Sequence, residues 1–427
     1  MAIIALMKEP FNWDNYSDQP ALLKDREYKK MMRKRQLPSL LKTLLTAIVI
    51  LPISLIAMPF VKRKTIKQEE FISLGVDFQR EPETSIELLD ELGVKNILLR
   101  FKLWEMQSLE ELASFIEQNK ERTITLKILQ DREHIEDLSL LRADLTAIFE
   151  RLGKSVNTYE IGSTINRAKW GFFSVDEYSR FYQVAFTLKK EKFPTLTLIG
   201  SGVIDFEYHF TAHTLFNFFA YKYDGISSLL YVDRRGAPEN TQLGFALSDK
   251  IAWLSTMVWL SPKTANKIHI TEVNWPLQGT APFAPTSEKE CVSEQEYANY
   301  MLRYYLLAFA SQQIDSVSWH QLIAPGYGLV DNRDGIITKY IAFETFKYML
   351  QILKHAQFLR LDIKRNYYIL QCLVNDKLLQ IHWSLIDTTL QNEEFFNVYD
   401  RDGKPLTTKT LEITGKPTYI YIKDAVQ

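Results

Sequence analysis

Two kinds of hydrophobic pattern divide the chain. Residues 43–61, TLLTAIVILPISLIAMPFV, contain no charged side chain, and at about 1.5 Å per residue such a run nearly crosses a hydrocarbon core of roughly 30 Å. The pattern predicts a transmembrane helix, because Pro52 and Pro59, costly in a soluble helix, are tolerated in a membrane span. The long stretch before the run, and the lack of a small-residue cleavage site before Lys62, argue against a removed signal peptide. From Phe71 onward, β-rich runs alternate with amphipathic helical patterns. The strand candidates are FISLGVDF, VKNILLRF, TITLKILQ, TYEIGS, TLTLIGSGV, ISSLLYVD, IHITEVNW and SVSWHQLI, with helical patterns such as SLEELASFIEQN and EYANYMLRYYLLAFAS between them. Such alternation predicts a parallel sheet. Eight strand-helix pairs match a (β/α)8 TIM barrel in count and size.

After residue 355 the pattern changes to alternating strands broken by turn signals, VND and DRDG, which predicts a small antiparallel β domain. The expected organisation is a basic tail (1–42), a transmembrane helix (43–61), a (β/α)8 barrel (68–355) and a small β-sandwich-like domain (356–427). The fold class is α/β.

Composition narrows the function classes. The 427 residues carry 51 Lys and Arg against 52 Asp and Glu, for a net charge of -1, and 46% are hydrophobic. A sizeable core is affordable, and a disordered tail protein, a collagen-like rod and a basic nucleic-acid coat are excluded. No nucleic-acid partner is expected. The two distant cysteines, Cys291 and Cys372, exclude a disulfide scaffold. Charge matters locally instead. Lys24, Arg26, Lys29, Lys30, Arg33, Lys34, Arg35 and Lys42 precede the apolar run, against Lys62, Arg63, Lys64 and Lys67 after it. The larger cluster favours a cytoplasmic tail. The chain is then a single-pass protein of the inner, cytoplasmic membrane with its C-terminal domains extracytoplasmic.

A barrel of this kind builds its site at the C-terminal ends of the strands and in the loops that follow. Those positions hold Asp77, Arg100, Gln130, Asp131, Ser163, Thr164, Asn166, Asp205, Tyr231, Asp233, Glu272, Asn274, Trp275, Trp319, His320 and Gln321. Four rim tryptophans, Trp104, Trp170, Trp275 and Trp319, offer flat faces to sugar rings. Glu272 ends an otherwise apolar strand, where a carboxylate must be paired or face a polar cavity. The loop DRRGAPEN places Arg234, Arg235, Glu239 and Asn240 at the rim, and its arginines suit an acidic or phosphorylated sugar. There is no dinucleotide or Walker-type glycine loop, no HExxH and no close Cys/His grouping; His209 and His213 lie four apart without a third ligand. Neither a metal nor an organic cofactor is expected.

These residues carry a resemblance. TYEIGSTINRAKWG resembles the strand-four segment of the clan A retaining glycoside hydrolases, usually an apolar strand ending in Asn-Glu-Pro, and HITEVNWP resembles their strand-seven nucleophile segment. Arg100 matches the strand-two arginine that supports the nucleophile, Tyr231 the strand-six tyrosine and Trp319 the strand-eight tryptophan. The likeness covers about residues 70–425 in architecture but only short segments in motif. It implies Glu272 as nucleophile or charge stabiliser, supported by Arg100 and Tyr231. Substrate contacts are expected, chiefly from their places at the strand ends and in the loops that follow, from Asp77, Gln130, Asp131, Thr164, Asn166, Trp170, Asp205, Asp233, Arg234, Arg235, Asn274, Trp275, Trp319 and Gln321.

One segment departs from the pattern. Ser163 and Thr164 stand where the family has Asn and Glu, and Ile165 replaces the proline. Retaining hydrolysis uses two carboxyl groups about 5 to 5.5 Å apart, and a threonine hydroxyl does not protonate a leaving group near neutral pH. Glu160, four residues earlier, sits about 13 Å down the strand at roughly 3.3 Å per residue. Asp77, Asp131, Asp205, Glu207 and Asp233 remain as displaced acids. The expected function is a membrane-anchored glycoside hydrolase-like protein acting on an extracytoplasmic polysaccharide or glycolipid. The alternatives are a catalytically inactive glycan-binding pseudo-glycosidase and an envelope transglycosylase.

Overall fold

The computed structural model describes residues 12–232, 236–391 and 396–422. Eight parallel strands close into a barrel: β1 (Ile72–Val76), β2 (Asn96–Lys102), β3 (Thr123–Leu129), β4 (Thr158–Ile161), β5 (Thr197–Ile204), β6 (Gly225–Leu229), β7 (Ile268–Val273) and β8 (Ser316–Trp319). β8 pairs with both β7 and β1, which completes the ring. The strands are rich in Ile, Leu, Val and Thr because helices cover their outer face and side chains fill the interior; β1 is buried at every position. The covering helices show the matching pattern. In Leu109–Gln118, residues Leu112, Ala113, Phe115 and Ile116 face the barrel while Glu110, Glu111 and Glu117 face water.

The C-terminal part forms an antiparallel sheet from Ala356–Lys364, Tyr367–Val374, Lys377–Ser384, Thr418–Ile422, Phe396–Tyr399 and Pro405–Leu406, with a ribbon of Thr388–Gln391 and Thr410–Ile413 beside it. Glu239 joins this sheet to the barrel: it is 3.1 Å from the Arg303 guanidinium and accepts a hydrogen bond from Trp383 Nε1 at 2.8 Å. The sequence reading places Glu239 on an open rim loop. Its side chain is in fact sealed inside the junction.

The basic tail forms helix α1 (Arg26–Arg35) and the apolar run helix α2 (Leu37–Ala57). α2 lies along the barrel flank, against α3 (Val175–Lys192), α4 (Tyr208–Leu215) and α5 (Leu247–Leu260). Its inward face carries small and polar side chains, Ser39, Thr43, Ala47 and Ser54, at helical spacing. Thr43 Oγ1 is 2.8 Å from His213 Nδ1, and Trp253 Nε1 donates to Ser54 Oγ at 2.7 Å. Leu44, Leu45, Ile48 and Ile56 point outward and are exposed.

The segment before α1 returns across the top of the barrel. Trp13–Asp14 pairs with Gln19–Pro20, Asp18 is salt-bridged to Arg100, and Gln36 Nε2 donates to Glu177 Oε1 at 2.9 Å. The tail is thus packed against the barrel, and the apolar helix α2 is long and apolar enough to cross a membrane.

Candidate active site

At the C-terminal end of the barrel a cavity of about 430 Å³ opens between the strand ends and the tail. Glu272, on β7, reaches it with a side chain 12% exposed. The Tyr231 hydroxyl donates to Glu272 Oε1 at 2.8 Å, and Lys127 Nζ, projecting from β3, lies 3.4 Å from Oε2. Burial pushes the Glu272 carboxyl up, but the charges of Lys127 and Arg100 and the Tyr231 hydrogen bond outweigh it and hold the group at about 2. The carboxylate is ionised at any physiological pH, as a nucleophile or charge stabiliser requires.

Beneath it lies a second acid. Glu160, on β4, is fully buried, and its Oε2 is 3.4 Å from the same Lys127 ammonium. Thr271 Oγ1 donates to its Oε1 at 2.9 Å. Burial dominates here and raises the Glu160 carboxyl despite Lys127. One lysine thus bridges two carboxyl groups of opposite tendency.

Thr164, at the strand-four position, lines the cavity, is 1% exposed and has φ of 53°. A β-branched residue in the left-handed region is strained, and such strain gathers where a loop is held in place for function. The strut is Gln130, whose amide accepts from Ser163 N–H at 2.9 Å and donates to the Ser163 and Trp170 carbonyls at 2.9 and 2.8 Å. The next residues bring Arg167 and Lys169 to the wall; Arg167 grips Asp205 at 2.6 Å and Glu207 at 2.8 Å.

Of the residues singled out in the sequence, Arg100, Thr164, Trp170, Asp205, Glu207, Tyr231, Glu272, Asn274 and His320 share this cavity. Others have different tasks. Arg100 pairs with Asp18 and acts on Glu272 only through its field. Asp77 adjoins a small hollow behind Arg100, Asp131 accepts from the His134 N–H at a helix start, and Asn166 Nδ2 donates to the Ile204 carbonyl and to Glu207. Trp275 and Trp319, expected on the rim, are fully buried and stack on each other 5.9 Å apart, because the tops of β7 and β8 turn them under helix α6 (Glu294–Ser311). Gln321 is likewise fully buried, beside Gly75 of β1. Asp233, Arg234 and Arg235 lie outside the described residues. Lys127, Arg167, Lys169 and Asp18 escaped sequence reasoning. Lys127 carried a signal, a charge inside the apolar run TITLKILQ.

No family model matches the sequence, and no curated protein matches it. Solved structures do match. A family 39 glycoside hydrolase from the gut symbiont Bacteroides cellulosilyticus WH2 is 14% identical, with 84% of this chain and 82% of that chain covered and a TM-score of 0.65. A GH51 arabinofuranosidase from Xanthomonas axonopodis pv. citri is 10% identical over 85% of this chain and 98% of its own, at a TM-score of 0.57. A GH30 endoxylanase from Clostridium papyrosolvens C71 is 9% identical over 84% and 97%, at 0.56. The chain thus shares with these glycoside hydrolases its fold, a closed eight-stranded parallel barrel followed by an antiparallel sheet.

Proposed function

We propose that the chain is a membrane-attached glycoside hydrolase-like protein in which Glu272 attacks the anomeric carbon of a bound polysaccharide or glycolipid. The observation that carries this reading is the ionised Glu272 carboxylate, fixed by Lys127 and Tyr231 at the wall of a sugar-sized cavity. Attack forms a glycosyl ester at Glu272 and releases the leaving oxygen, which needs a proton unless it is already a weak base. Thr164 does not supply that proton, and Asp205 and Glu207 are both engaged by Arg167. Substrates with activated leaving groups avoid the difficulty. Dinitrophenyl 2-deoxy-2-fluoro glycosides of xylose, arabinose, glucose and glucuronic acid form a test panel, the neutral sugars being those acted on by proteins of similar fold. A mass increment on the Glu272 peptide with at least one of them is expected. No increment with any sugar overturns the nucleophile and leaves the glycan-binding reading.

That second reading is favoured by Thr164 itself. Under it, Thr164→Glu restores a proton donor and raises cleavage of unactivated glycosides by about 10²- to 10⁴-fold. Glutamate also replaces a β-branched residue at positive φ, so the exchange does not add backbone strain. An unchanged rate means that another group already protonates the leaving oxygen, and a product extended by a second sugar identifies transfer in place of hydrolysis.

Membrane attachment is supported by α2. With the tail packed on the barrel, its exposed leucines and isoleucines are disposed to lie in the plane of the interface, and the basic residues of α1 to meet anionic headgroups. The basic cluster is then a headgroup contact in place of a topology signal. Full-length protein should float with vesicles containing phosphatidylserine. Leu44→Glu with Ile48→Glu should abolish flotation without lowering the melting temperature, since each buried aliphatic side chain is worth about 1.5 kcal/mol or more. Retention of the double variant in the bilayer would instead favour a spanning helix.

A further inference from the structure

One wall of the mouth is the chain's own tail. Asp18, with a side chain 5% exposed, is salt-bridged to Arg100. Burial opposes its charge, yet Arg100, Lys102 and Arg80 together hold its carboxyl below the usual range. Lys169 Nζ donates to Gln19 Oε1 at 2.6 Å. The Trp13 ring packs against Trp104 at 5.2 Å and Trp170 at 5.8 Å, with Lys102 Nζ 5.1 Å from its centre. The tail is held by a carboxylate on an arginine, a carbonyl oxygen on a lysine, and a flat ring among tryptophans.

A uronic acid unit makes the same three kinds of contact, through its carboxylate, its hydroxyls and its ring face. Charge separates it from a neutral sugar. Arg167 keeps Asp205 and Glu207 whether or not the tail is present. Arg100 and Lys169 do not: withdrawing the tail takes Asp18 from one and Gln19 from the other. Glu272 acts on Arg100 only through its field, its own direct contacts being with Lys127 and Tyr231. A neutral sugar would leave the 9%-exposed Arg100 side chain without a contacting counter-charge, which is strongly unfavourable.

On the reading of the barrel mouth as a glycan site, we propose that it accepts an acidic sugar, a uronate unit of a polysaccharide, whose carboxylate takes Arg100 from Asp18 while its ring takes the place of Trp13. The tail competes as a tethered ligand, at an effective concentration in the millimolar range. Weakening the tail therefore strengthens binding of the acidic glycan.

The test is calorimetric titration of full-length protein with tetragalacturonate and, as a neutral control of equal length, cellotetraose. Asp18→Asn and Trp13→Ala should each tighten tetragalacturonate binding by about tenfold or more, leave cellotetraose unchanged, and preserve a binding constant that falls with added salt. Asp18→Asn keeps the side chain's size and remains informative if Trp13→Ala does not fold. Weaker or unaltered tetragalacturonate binding in Asp18→Asn would make the tail a fixed wall and overturn the proposal. An equal gain for cellotetraose would overturn the acidic preference alone. If neither sugar binds any form, while folding is intact, the glycan reading itself fails.

Discussion

With Glu272 as the proposed nucleophile, Glu272→Gln should eliminate covalent labelling by the activated fluoroglycosides and lower turnover of an activated substrate by on the order of 10⁴-fold. The exchange is nearly isosteric, so the Tyr231 hydroxyl still has an oxygen to donate to and Lys127 keeps Glu160 as its partner. The fold is therefore retained and the loss is chemical. A second variant separates nucleophile from bystander. Glu272→Ala opens space for a small anion, and added azide should then attack the anomeric carbon directly, giving a glycosyl azide of the opposite anomeric configuration to the normal product. A labelled peptide elsewhere in Glu272→Gln, or azide without effect on Glu272→Ala, would move the nucleophile away from β7.

The barrel was legible because its signal is repeated. Eight apolar strands at regular spacing, each followed by a helix with an apolar face, leave few alternative architectures. That Glu272 would face the cavity was legible for a related reason: it is a charge where the pattern demands an apolar residue. The same criterion applied to TITLKILQ and TYEIGS would have found Lys127 and Glu160, the other members of the buried triad. The rim tryptophans show the limit. Trp170 lines the cavity while Trp275 and Trp319 are core, a difference set by loop direction that strand position does not encode. Arg100 shows another limit. Its partner Asp18 is 82 residues earlier in the chain, in a tail whose composition gives no hint that it folds back over the barrel. Hydropathy likewise identified the helix but not its orientation, because Ser39, Thr43 and Ser54, modest polar interruptions in an apolar run, are the residues that meet the flank.

Lys127→Met tests the triad from its centre. The lysine is fully buried between two carboxyl groups, and its removal leaves Glu272 and Glu160 facing each other without the charge that separates them. Breaking a buried pair in this way costs about 3 to 5 kcal/mol near neutral pH. The pH dependence has a definite sign. In the native protein Glu272 is depressed from an ordinary 4.5 to about 2, so it contributes stability above pH 4.5 that is lost as the pH falls toward 2, by a total of about 3 kcal/mol. In the variant the chief favourable charge on Glu272 is gone and burial dominates, as it already does for Glu160, so both carboxyls bind protons more readily folded than unfolded. The variant then gains stability as the pH falls. Urea midpoints measured from pH 3 to 8 should show native protein and variant far apart at pH 7 and converging below about pH 4.5. Adding Glu160→Gln to the variant should recover part of the neutral-pH loss by removing one of the two stranded acids. A constant gap across the whole range would mean that Lys127 contributes packing alone, and that the ionisation of Glu272 is set by other groups.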